Sequence, residues 1–151
     1  MPAMRGSVED KKALKRFGDR VGYTEADLKQ FQAGDPRVRQ MERLGRAAAR
    51  YSIQVEVVQA RHCNSGYQAG DKFILDVNGN FITKLCPGRL CVYAISQLAV
   101  PVALINERLG EGLDPNRFHF MHQVRCLDVG VECAGYGEVC FEVKVVPRKK
   151  K

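Results

Sequence analysis

Three stretches of this chain alternate apolar and polar residues with a period of two. Ile53, Val55 and Val57 are separated by Gln54 and Glu56. Phe73, Leu75 and Val77 alternate with Lys72 and Asp76. Val139, Phe141, Val143 and Val145 recur near the C-terminus. Successive side chains of a strand point to opposite faces, so each stretch places its apolar residues on one face of a sheet. Asn78, Gly79 and Asn80 predict a tight turn, with Phe81 and Ile82 beginning the return. Residues 121–128 read as a third major strand, and a glycine-rich loop from Gly130 to Gly137 leads into the last one. Between the two pairs, Pro87 opens a helix whose apolar face carries Leu90, Tyr93, Ala94, Leu98, Leu104 and Ile105. Pro101 should kink or split it, and Gly110 and Gly112 should end it. The order β-β-α-β-β, with hairpins at both ends, predicts an α+β fold: a small, mostly antiparallel sheet with one central helix on one face.

The first fifty residues have a helical texture instead. Ser7 with Glu9 and Asp10 reads as an N-cap and acidic first turn, for a helix running to about Phe17 and stopping near Gly18. Thr24 repeats the signal before Leu28 and Phe31, and Gly34 should end that helix. Asp35 and Pro36 start a third, in which Val38, Met41, Leu44 and Ala48 recur at helical spacing. The chain thus divides into a basic helical segment (1–50), a cysteine-containing α+β domain (51–146) and a basic tail (147–151).

The charge follows that division. The net charge is +7; residues 1–50 hold 12 Lys/Arg against 7 Asp/Glu, residues 51–146 hold 8 against 10, and the tail adds four cations. The arginines of the third helix (Arg37, Arg39, Arg43, Arg46 and Arg50) and the tail could meet nucleic acid or an acidic protein. No aromatic residues are interleaved with those arginines along the sequence, which argues against nucleic acid. No apolar stretch reaches the length of a spanning helix, and no apolar signal segment opens the chain, so a cytoplasmic protein without membrane contact is expected.

In a reducing cytoplasm, the six cysteines read as metal ligands, reactive thiols or core residues rather than disulfides. None forms a Cys-x-x-Cys pair, so a metal site would have to be assembled from distant segments by the fold. Cys63, beside His62, lies at a strand end; Cys86 precedes Pro87 at the predicted helix start, where the dipole favours a thiolate; Cys126 lies before Asp128. Strand ends and helix starts are where such a fold converges groups, so these three are expected to cluster. His62 serves as a fourth ligand or as a base for Cys63. Cys133, in the glycine-rich loop, is placed to approach Cys126 or Cys140. Cys91 reads as a buried small hydrophobe, and Cys140 as lying opposite Val139 and Phe141.

The residues Cys63, Gly70, Asp71, Phe73, Cys86, Pro87, Cys126, Asp128 and Gly130, closed by the Val139–Val143 strand, resemble the pattern of a small uncharacterised cysteine-containing family found mostly in anaerobic bacteria and archaea. The resemblance covers about residues 53–146 and implies a compact α+β domain with Cys63, Cys86 and Cys126 as its shared thiols. It supplies no reaction. The chain departs from the pattern in having Leu90, Val92 and Tyr93 where a tryptophan-rich segment follows the Cys-Pro step, and in a longer loop around Cys133.

Three functions are therefore expected, in this order. The first is a zinc- or iron-binding thiol cluster, as an accessory subunit of a larger anaerobic enzyme, with a protein partner or self-association. The second is a redox or nucleophilic enzyme using Cys86 or Cys63. The third is a basic module for nucleic acid or an acidic protein.

Overall fold

A computed structural model of the chain describes residues 7–149. Three helices come first: α1 (Val8–Val21), α2 (Glu25–Leu28) and α3 (Pro36–Arg50). Ser7 and Thr24 form capping boxes with Asp10 and Asp27, and Asp35 caps α3 with Pro36 in its first turn. α1 runs past Gly18, where the sequence predicted its end. Gly18 is buried, and a Cβ there would meet Leu28 and Tyr23 at 3.2–3.3 Å. The glycine serves close packing, and Gly22, in the left-handed region, ends the helix. α2 is a single turn, shorter than the sequence suggested.

The sheet contains β1 (Tyr51–Arg61), β2 (Lys72–Leu75), β3 (Gln123–Arg125) and β4 (Glu138–Pro147), all antiparallel in the order β2-β1-β4-β3. The α+β architecture expected from the alternation is thus the one adopted. Ile53 faces Leu75 and Val145, Val55 faces Phe73 and Val143, and Val57 faces Phe141, all on the buried face. A bulge at Val58 shifts the register, so that beyond it Ala60 opposes Val139 and Gln59 opposes Cys140. The extra residue swaps which parity points inward.

The first hairpin return is a single bridge, Leu75 to Phe81, followed by a 3₁₀ turn, Thr83–Leu85. The central helix is divided into α4 (Val92–Ile95) and α5 (Ala99–Gly110) by a 3₁₀ turn at Ser96–Leu98. The break lies just upstream of Pro101, which cannot donate to a carbonyl one turn back. Ala94, Leu98, Ile105 and Leu109 join the sheet's apolar face in one core, along with Ala47 of α3. The region read as strand 121–128 pairs only at Gln123–Arg125. Among the described residues, no helix is long and apolar enough to cross a membrane. Residues 1–6 and Lys150 and Lys151 of the basic tail lie outside the described residues.

Candidate functional site

The helix does not begin at Cys86. Pro87 is followed by Gly88, and the chain stays irregular to Leu90; Cys91 is the N-cap of α4. Cys86 instead closes the 3₁₀ turn, and its S–H faces the carbonyls of Ile82 (3.3 Å) and Ile74 (3.5 Å). The amides of a helix start are therefore offered to Cys91 and not to Cys86.

Cys91 is half-buried, not a fully buried core residue. Burial pushes its thiol up. The Ser65 hydroxyl and the amides of Ala94 and Tyr93 outweigh burial and hold it below the ordinary thiol value. The amides favour the sulfur's charge without making a cap hydrogen bond of full geometry.

Tyr67 fixes this arrangement. Its ring is buried edge-on to Phe73. Its hydroxyl accepts the Cys91 amide (2.8 Å) and donates to the Arg89 carbonyl (2.7 Å). One residue thereby pins both the approach to the helix and its N-cap. Burial raises the Tyr67 phenol, and negative charge on Cys91 or Cys63 raises it further. Cys63 belongs to the turn that carries Ser65, closed by the Gly66 amide donating to the Cys63 carbonyl (3.0 Å).

Cys126 packs on the same core as Cys63, Cys86 and Cys91, all four half-buried. Its S–H is directed to the Asp128 carbonyl (3.7 Å), and the Leu127 amide donates to the Tyr93 carbonyl (3.1 Å), joining this segment to α4. Leu90, Val92, Tyr93 and Leu127 leave apolar side chains exposed around the junction.

His62 and Cys133 are elsewhere. With Arg61, Arg125 and Glu138 they line a cleft of about 340 Å³ at the end of β1 and β4, and Cys63, Cys86 and Cys126 are not part of its wall. His62 holds a positive φ of 54°. Glu138 bridges Arg61 (3.4 Å) and Arg125. Of the residues singled out as metal ligands, His62 lines this cleft with Cys133, and Cys63, Cys86 and Cys126 do not. Among the described residues, no group of three or more His, Cys, Asp or Glu side chains is disposed to hold a metal ion. As they stand, Cys86 and Cys126 face carbonyls, not a common centre. Cys140 lies on the sheet's outer face between Gln59 and Arg125, as its parity required.

Asp128 organises the glycine-rich loop that lines one side of the cleft. Its carboxylate accepts the amides of Gly130 (3.1 Å), Tyr136 (2.9 Å) and Gly137 (3.0 Å). These amides, led by that of Tyr136, hold the carboxyl below the usual carboxylate range. A depressed native value stabilises the loop above the unfolded value, about 3.9, and that contribution is lost as pH falls through the native value. Hydrogen exchange at the Gly130, Tyr136 and Gly137 amides, corrected for intrinsic rates, should lose protection on acidification below pH about 4. Asp128→Asn should remove that pH dependence; unchanged acid dependence in the variant would rule out Asp128 as the titrating group.

Sequence reading missed Ser65 and Tyr67 as parts of a site and took Cys91 for core. The legible signal was Gly88 directly after Pro87, which postpones a helix, together with the cluster of turn residues around Cys63. Neither a protein-family model, nor a curated protein, nor a solved structure matches the chain.

Proposed function

We propose that the chain acts through a reactive thiol at Cys91, opening on an apolar surface. One observation carries this reading: Cys91 is the cysteine that meets both a helix start and a neighbouring hydroxyl donor, and its thiol is shifted toward the thiolate. The thiolate is the nucleophilic form of cysteine. It can attack an electrophilic carbon or a disulfide sulfur, forming an S–C or S–S bond while the leaving group departs with the bonding pair. Cys63, on the turn that supplies Ser65, is the second thiol of the site. The exposed Leu90, Val92, Tyr93 and Leu127 suit an apolar substrate or a protein partner. Six free cysteines suit a reducing compartment such as the cytoplasm.

The test is iodoacetamide alkylation of the folded protein across a pH series, with each site quantified by peptide mass spectrometry. Cys91 should be modified first, with a midpoint below that of an unstructured cysteine peptide alkylated alongside. Cys91→Ser should remove the fast phase, and Ser65→Ala should move the midpoint up. Faster labelling at Cys86 or Cys63, or a Cys91 profile like that of a free thiol, would overturn the proposal.

Zinc or iron binding is the second reading. It is supported by four half-buried thiols on one core, with Cys126 tied to the Cys91 helix through the Leu127–Tyr93 hydrogen bond. Binding would require Cys86 and Cys126 to turn from their carbonyls. Metal analysis of anaerobically purified protein decides it: about one equivalent, lost in Cys91→Ser, supports the reading, and less than about a tenth of an equivalent removes it.

A further inference from the structure

Three of the five arginines of α3 are engaged within the protein and are not a free basic face. Arg39 pairs with Glu111 (3.1 Å), Arg43 donates to the Gly110 carbonyl (2.7 Å), and Arg46 pairs with Glu9 (2.7 Å) and Glu42. They tie α3 to α1 and to the end of α5. Nor are arginines and aromatics segregated, as the linear sequence implied. The turns between the helices bring Phe17, Tyr23 and Phe31 together. Phe17 and Tyr23 lie 5.7 Å apart between centroids, and Tyr23 and Phe31 stack at 5.6 Å with planes 29° apart. A guanidinium covers each end of the row: Arg20 lies 5.1 Å from the Phe17 centroid and Arg37 lies 4.4 Å from that of Phe31.

Arg37 is held there. Its Nε and Nη2 grip both oxygens of Asp35 (3.1 and 2.7 Å), yet its side chain is 59% exposed. One face of its plane rests on Phe31 and the rest meets solvent. This is a preorganised π-surface at low entropic cost, and the guanidinium keeps further N–H donors. Beside the row runs a stripe of cations on α1. Lys12, Arg16 and Arg20 recur every four residues, all exposed, and none is paired with a carboxylate among the described residues. Residues 7–50 hold 11 Lys/Arg against 7 Asp/Glu.

We infer that this N-terminal face binds single-stranded nucleic acid, with bases stacking on the Arg37 and Arg20 ends of the aromatic row and phosphates drawn to Lys12 and Arg16. A cationic track beside planar stacking groups is how sequence-tolerant single-strand binders work. An acidic protein would use the charge but not the planes, so the stacking geometry favours the nucleic acid. This inference does not depend on the thiol site.

The test uses the full chain and a fluorescein-labelled oligouridylate of about 12 nucleotides, followed by fluorescence anisotropy over a KCl series. Arg37→Lys keeps the charge and removes the plane; affinity should fall about tenfold. Lys12→Gln with Arg16→Gln should flatten the slope of log affinity against log salt by about 1.4, the value for two single-strand phosphate contacts. Thermal melting checks that the variants are folded. The double variant, exposed on α1, decides the matter should Arg37→Lys disturb the helices. Three results would each overturn the inference: no saturable binding at about 50 mM KCl, a folded Arg37→Lys that binds like the parent, or polyglutamate competing as well as unlabelled oligouridylate.

Discussion

Phe141→Ala should cost about 4 kcal/mol of stability, a large share of what a chain of this size possesses. Phe141 is 1% exposed in the middle of β4, opposite Val57 on β1 and Val124 on β3, and its ring meets Phe73 edge-on at 6.0 Å. Truncation removes apolar burial, ends the aromatic contact, and leaves a cavity where three strands meet and cannot readily close over it. The neighbouring Glu142 lies on the other face, and Glu142→Ala should stay within about 0.5 kcal/mol. Urea denaturation measures both; the Phe141 variant should have its midpoint about 2 M lower. Similar effects at the two positions would contradict the assignment of the buried face.

Gly137→Ala should cost about 3 kcal/mol, for a reason independent of apolar burial. A Cβ at Gly137 would lie 2.3 Å from the His62 carbonyl oxygen, 2.8 Å from its carbon and 2.9 Å from the Arg61 carbonyl oxygen. All three are backbone atoms of the β1 end, so no rotamer change relieves the overlap. The loop would have to move off the strand, pulling apart the Arg61–Glu138 pairing, the Gly137–Asp128 hydrogen bond and the cleft wall. The melting temperature should fall by about 10 °C, with the Gly130–Gly137 loop losing exchange protection before the sheet does. A shift below about 2 °C would show that this close approach is not needed.

Much of this fold could be read locally. The alternation at Ile53–Val57 and Val139–Val145 set the buried face, because strand side chains alternate whatever surrounds them. Ser7, Thr24 and Asp35 marked helix starts because a cap is a contact within four residues. Errors arose where a local signal met a distant partner. Gly18 looked like a stop, but it is a close-packing point for Tyr23 and Leu28. The 121–128 stretch looked like a long strand, but it has a pairing partner over only three residues.

The candidate sites follow the same division. From the residues alone came the sheet, its inward face, the turn at Gly79 and the presence of thiols near element ends, because these depend on short-range backbone and side-chain geometry. Which cysteine has the shifted thiol was decided by the tertiary structure: Ser65 reaches Cys91 across 26 positions of chain, and Tyr67 fixes the helix start from another loop. The stacked row of Phe17, Tyr23 and Phe31 between two arginines was likewise invisible in the linear order, because the planes face one another only once the helices have turned back on themselves.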